Sequence, residues 1–398
     1  MKRIFGLAIF LILLFPATGL AEENPANGQA ETEETDSFSA ADLADNLDMG
    51  DFQNELEHLD QMLAGQNAPI SMSDIWKGIV SGERSFDLSE IWDALGAMVF
   101  ANIRSSVALL GQLILISLMA VLLTLLKDNF AGGEIAQIGR WVVYLLLIGI
   151  AVAAFIPCMT KAAQTVDTIR DLLYALLPLL IPLLASIGGL TTVSLVNPAL
   201  LTAISILMSL MSNLIFPLIC FSAILRLCGS LAPRLSLEKM AALFKDVAIG
   251  LMSIIVTVFI AFLGITGMAA ASWDGLAVKA IKSASGAFIP IVGRSLADAM
   301  DSVLGTALVL KNAIGLIGAV AILFICALPA LQILIQALVF RVAGALIQPL
   351  GEEKLAEAVT GLGNSMILLF AAVAVCGLFA YFALALIVGL GNMTMMMR

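Results

Sequence analysis

Residues 172–225 read LLYALLPLLIPLLASIGGLTTVSLVNPALLTAISILMSLMSNLIFPLICFSAIL, with no charged residue and no histidine between Asp171 and Arg226. A bilayer core about 30 Å thick takes about 20 apolar residues of helix, so this stretch is too long for one crossing. Asn197-Pro198 divides it, because Asn caps helices and Pro suits a first helical turn. The reading is two segments, Leu172–Val196 and Ala199–Leu225. The first also holds Pro178, Pro182 and Gly188-Gly189, which would interrupt a straight helix. Broken backbone at membrane depth needs protein or a water-filled cavity to supply partners. Leu172–Val196 is therefore predicted to be re-entrant or interfacial, and Ala199–Leu225 a full span.

Working outward, five more uncharged runs appear: Ser105–Leu126, Trp141–Thr160, Val247–Trp273, Ala313–Phe340 and Met366–Leu390. The chain also repeats itself. Arg226-Leu-Cys-Gly229 returns as Arg341-Val-Ala-Gly344, 115 residues later. At the same offset Glu238-Lys239-Met-Ala becomes Glu353-Lys354-Leu-Ala. Ala175-Leu-Leu-Pro178 resembles Ala287-Phe-Ile-Pro290. A repeated unit of broken segment, span, amphipathic linker and span results, at about 161–273 and 276–390. The repeats are parallel, because an even number of spans separates them. Leu172–Val196 then corresponds to Ser283–Leu310, whose Arg294, Asp298 and Asp301 bar it from facing lipid. The predicted fold class is all-α: a polytopic helical membrane protein with six full spans and two re-entrant or interfacial segments. A plain hydropathy count gives seven.

The composition agrees. Of 398 residues, 61% are apolar and 13% charged, and mean hydropathy is +1.03. A soluble domain has about 25% charged residues, so a soluble globular enzyme is excluded. The net charge is −10, which argues against nucleic-acid binding by bulk charge. It is concentrated in residues 22–76, which hold 14 acids and no Lys or Arg. Residues 77–398 are mildly basic, with 18 bases and 16 acids.

Residues 1–21 carry Lys2-Arg3, an apolar run from Ile4 to Phe15, and small residues ending at Ala21. That pattern is a secretory signal, cleaved after Ala21 or kept as an anchor. Residues 22–104 become an acidic extracytoplasmic segment, and 105–398 the membrane domain. The segment starts without periodicity, then shows a helical stripe at Phe52, Leu56, Leu59 and Leu63. Helix starts follow near Ser73 and Leu88, with Trp76 and Trp92 suited to the membrane interface. This segment reads either as a docking surface for a partner or as a solvated spacer lying on the membrane. With it outside, linkers 127–140, 226–246 and 341–361 face the cytoplasm with eight bases, against six in loops 161–171 and 274–312.

No catalytic, cofactor or metal residues emerge. His58 is the single histidine and lies among solvated acids. The five cysteines lie in or beside apolar runs and form no CxxC. No GxxxxGK[ST] loop exists to bind ATP. Arg294, Asp298 and Asp301 share a helix face and line either a pathway or the wet side of an interfacial helix. With Pro178, Pro182, Asn197 and Pro290 they are the candidate pathway residues. Arg226, Gly229, Glu238, Lys239, Arg341, Gly344, Glu353 and Lys354 mark the repeat linkers. The arginines there suit carbonyls, lipid phosphates or snorkelling. Gly315 and Ala319 are one of several small pairs that allow close helix contact.

One family matches this layout. Ser81-Gly82…Phe86-Asp87-Leu88 leads to Asn102 and the first span, and Leu125-Leu-Lys127-Asp-Asn-Phe130 follows it. Gly286-Ala-Phe-Ile-Pro290-Ile-Val-Gly293-Arg294 comes later, with the two Arg-x-x-Gly…Glu-Lys linkers. From about residue 70 the chain resembles the stage III sporulation protein AE family of endospore-forming bacteria. The resemblance implies a non-enzymatic, multi-pass subunit of a secretion-like channel complex joining mother cell and forespore. It implies partners among the stage III sporulation A proteins, including a secretion-type ATPase, and allows a homo-oligomer. It places the protein in the mother-cell membrane around the forespore, where it is needed for late forespore gene expression. It supplies no catalytic residues. A stand-alone secondary transporter built from repeats and a scaffold without a pathway are the alternatives.

Overall fold

The computed structural model describes residues 50–64, 71–80, 88–129, 133–186, 197–231, 237–285, 293–350 and 352–396. The signal, the start of the acidic segment, Gly188-Gly189 and Pro290 lie outside them. The described residues hold no strand. Two short helices, α1 (Gly50–Ala64) and α2 (Met72–Val80), precede α3 (Leu88–Asn129) and α4 (Gly133–Ser186). Then come α5 (Asn197–Leu210), a π-helical turn (Met211–Ile215), α6 (Phe216–Leu231) and α7 (Glu238–Ser285). The chain closes with α8 (Gly293–Ile347), a 3₁₀ turn (Gln348–Leu350) and α9 (Glu353–Met396).

Among the described residues, six helical stretches are long and apolar enough to cross a membrane: Asn102–Leu122, Trp141–Ser186, Pro198–Gly229, Glu238–Thr266, Gly305–Leu350 and Glu353–Gly389. They match the six predicted spans. α8 and α9 form the centre, with 67% of each apolar window buried, against 24% for α3 and 22% for α7. The pair runs antiparallel, with Gly315 against Val388, Cys326 against Gly377 and Gly344 against Thr360. α4 lies antiparallel on α8, as the successive contacts Tyr144–Glu352, Lys161–Gln332 and Leu176–Gly318 show. α6 and α7 pack together and against α9. The outer helices keep Leu115, Ile254 and Ile260 exposed, as a helix in hydrocarbon does.

Three expectations are corrected. First, α4 runs without a break through Pro157, Pro178 and Pro182 as far as Ser186. A proline removes one i→i−4 bond and leaves the rest of the ladder. Here Leu176, Leu177, Leu179, Leu180, Leu183 and Leu184 are buried while Pro178 and Pro182 point outward, so packing holds the helix together. Second, residues 161–171 are helical and not a loop. Third, Arg294, Asp298 and Asp301 belong to the first turns of α8, continuous with the following span. Lys311, assigned above to an outer loop, is fully buried in α8 and donates to the Val388 carbonyl at 3.0 Å.

The acidic segment's stripe lies on a helix, and its Leu63 side chain is outside the described residues. Phe52, Leu56 and Leu59 of α1 are buried and join the main core. Phe52 meets Trp76 of α2 edge-on at 5.4 Å. Asp60 ties the two helices: its carboxylate accepts the Met72 amide, the Ser71 hydroxyl at 3.0 Å and the Ser73 amide at 3.2 Å. That caps the start of α2 from another helix. The hairpin rests on α8, with Leu59, Met62 and Met72 facing Ala321, Phe324, Ile325 and Leu328. Residues 50–64 and 71–80 thus pack on the chain's own core.

Candidate functional site

The repeat motifs occupy equivalent places in two helical hairpins, α6–α7 and α8–α9. Arg226 and Gly229 end the first descending helix, and Arg341 and Gly344 the second. Glu238-Lys239 and Glu353-Lys354 open the returning helices, where an acid complements the positive helix end. The first turns match: the Ala241 amide donates to the Leu237 carbonyl at 2.9 Å, and the Ala356 amide to the Glu352 carbonyl at 3.0 Å. Each copy of the motif pair thus brackets a turn between two helices.

Both repeat arginines converge on one short piece of α9. A Cβ built on Gly361 would fall inside the Arg226 side chain. One built on Gly363 would lie 2.8 Å from Arg341 Cγ and 2.9 Å from the Ala337 carbonyl oxygen. Gly344 seals the second hairpin, since a Cβ there would lie 3.0 Å from the Ala356 carbonyl oxygen and overlap Thr360. Gly229 is less crowded, 3.6 Å from the Leu237 Cβ. Glu238, Lys239, Glu353 and Lys354 are exposed. Beside them Glu352 is buried and accepts the Tyr144 hydroxyl, which ties the start of the α4 span to this end of α8 and α9.

A second polar locus lies midway along α4. Lys161 Nζ donates to Gln332 Oε1 of α8, inside the uncharged run Ala313–Phe340. Arg170 Nη1 donates to Asp167 Oδ1 at 3.1 Å. α1 packs on this stretch. Burial raises the Glu55 carboxyl above the usual carboxylate range; His58, 3.8 Å away, opposes this, and Asp171 adds to it. Lys161 and Asp171 look like membrane edges only if every charge bounds a span. The spacing Lys161, Asp167, Arg170, Asp171 marks a helical cluster between two apolar runs and not a turn.

The third locus is a groove lined by Tyr174, Pro198, Leu201, Thr202, Ser205, Ile206, Ser209 and Leu210. The Tyr174 and Ser205 hydroxyls share a hydrogen bond of 2.8 Å. Thr202 donates to the Pro198 carbonyl at 2.8 Å, and Asn213 Nδ2 to Ser209 Oγ at 2.9 Å. Pro178 frees the carbonyl of Tyr174, four residues back. Pro178 itself is exposed and is not one of the residues lining the groove. Asn197 opens α5 at its rim. Arg294, Asp298 and Asp301 enter as α8 backbone only, and their side chains lie outside the described residues. Among the described residues no three His, Cys, Asp or Glu side chains gather as metal ligands.

Comparison with known proteins bears on the chain as a whole. The family model described as stage III sporulation protein AE matches residues 70–391. The stage III sporulation protein AE of Bacillus subtilis (strain 168) is 31% identical over 405 residues, covering 100% of both chains. No solved structure matches.

Proposed function

Because the chain belongs to the stage III sporulation protein AE family, we propose that it is the polytopic core of a complex that joins mother cell and forespore. Its role in sporulation follows from the family, and six apolar helices make it a multi-pass membrane protein. In the proposal it sits in the mother-cell membrane around the forespore, with the acidic segment in the space between the two membranes. It acts without catalysis, beside the other stage III sporulation A proteins, and a secretion-type ATPase supplies energy. The observation that carries this reading is the pairing of family membership with a chain that has no nucleotide-binding loop. Transport powered by ATP then needs a partner.

Affinity purification from sporulating cells tests it. Recovery of the partner ATPase is expected, as is arrest of late forespore gene expression on deletion. A protein recovered alone, with sporulation intact after its deletion, would end the proposal. The hydroxyl-lined groove favours a secondary transporter as the second reading. Purified protein in sealed vesicles that moves a solute unaided would support that reading.

A further inference from the structure

The helix of Pro198–Gly229 carries a polar stripe in a stretch without charge. Thr202, Ser205, Ser209 and Asn213 recur at three- and four-residue intervals, on one helical face. Thr202 and Asn213 are exposed, and Ser205 and Ser209 half-buried. Asn213 lies at the middle of the span. A carboxamide offers two donor hydrogens and two acceptor lone pairs. Among the described residues Asn213 uses one donor, to Ser209. Hydrocarbon supplies no partner for the rest.

The backbone marks the same place independently. Asn213 is the central residue of the π-helical turn Met211–Ile215, in which the Phe216 amide donates to the Met211 carbonyl five residues back. Such turns insert one residue into an α-helix and gather at functional positions. This one sets the carboxamide on the outer face beside Leu210 and Leu214, which are 38% and 40% exposed.

We propose that a second copy of this chain packs on this face, with Asn213 meeting Asn213 at a two-fold axis. A partner presenting charge is disfavoured, because it would bury that charge against a face that carries none from Leu172 to Leu225. A carboxamide is donor and acceptor at once, so its own copy completes it, and a two-fold interface brings one residue against itself. Ser205 and Ser209 let the backbones approach, and Ile206, Leu210 and Leu214 fill the flanks. The inference requires only that Pro198–Gly229 crosses a membrane. A monomer would leave the sporulation reading untouched.

The test is subunit counting by single-molecule photobleaching of the full chain in liposomes over a range of protein densities. Dimers are expected for the wild type. Asn213→Leu is expected to raise the apparent dissociation constant about tenfold, and Asn213→Gln to stay near wild type. Unchanged helicity and melting temperature would show that both variants fold, and Asn213→Ala serves if the leucine variant does not. A wild type that stays monomeric at every density overturns the proposal, as does a leucine or alanine variant that dimerises like wild type. So does rapid labelling of Asn213→Cys by a membrane-impermeant maleimide, with the site located by mass spectrometry, because it would make the stripe a water-filled path.

Discussion

At the residue scale, the missing side chains of Gly361 and Gly363 are what let the half-buried Arg226 and the exposed Arg341 lie close against α9. Gly361→Ala would drive a methyl group into the Arg226 stem, and Gly363→Ala would press on the Ala337 carbonyl of the adjoining helix. Overpacking of this kind costs about 1–3 kcal/mol. Each variant is expected to melt below wild type in detergent. Gly229→Ala, whose added Cβ would make only ordinary van der Waals contact with Leu237, should melt close to wild type, and equal losses at all three glycines would refute this account. The arginines were legible from the repeat. Their shared target was not, because Gly361 and Gly363 have no counterpart in the first copy, where Asp246 and Ala248 stand at the 115-residue offset.

Glu55 gives a residue-scale pH dependence. Its carboxyl titrates above the ordinary value of 4.5, chiefly through burial against the bundle. The folded state therefore holds the proton more tightly than the unfolded chain. The stabilising contribution is complete below about pH 4.5 and is lost as pH rises through the raised value. Docking of α1 should loosen across that window. Amide exchange over residues 50–64 is expected to speed up as pH rises, after correction for intrinsic exchange rates. Glu55→Gln should flatten the dependence, and an identical profile in the variant would disprove it.

At the element scale, the acidic segment shows how far periodicity reaches. The stripe Phe52, Leu56, Leu59 announced a helix with one apolar face, and the structure supplies what covers it: Trp76 of α2 and the α8 surface at Ala321–Leu328. A stripe reports that a face is buried and not what buries it. Trp76→Ala should cost about 3–5 kcal/mol of local stability and release the hairpin from α8. Limited proteolysis after Ala64 is expected to accelerate, and unchanged cleavage would mean that α2 does not hold α1. Asp60→Ala removes the tie to the start of α2 and should act in the same direction at about 1 kcal/mol. The prolines of α4 teach the converse. Each removes a single backbone bond, and a row of buried leucines on the opposite face outweighs that loss.

At the scale of the whole molecule, length becomes the governing quantity. α4 has 54 residues and α8 has 55, and at 1.5 Å per residue each reaches about 80 Å. A bilayer core is about 30 Å, so these helices extend well past it or lean steeply within it. The Tyr144–Glu352 contact sets the start of the α4 span beside the end of α8, Lys161–Gln332 fixes their register further along, and Arg226 of the first hairpin meets Gly361 beyond the second turn. Both hairpin turns then share one end of the bundle. Lys239→Cys and Lys354→Cys are expected to react with an impermeant thiol reagent from the same side of sealed vesicles. Labelling from opposite sides would break the parallel-repeat topology.

The sequence by itself determined the all-helical membrane class, the six spans, the concentration of acid before them and the repeat. Each depends on chain-local quantities: run length, periodicity and offset. Tertiary structure alone decided which helices lie at the centre, that the proline-marked segment stays helical, and that Lys161 sits beside the interior of an apolar run. It also brought the two repeat arginines onto α9 and the acidic hairpin onto α8. Those outcomes depend on which side chains meet between distant helices, and packing energy is a property of the pair that no single segment carries.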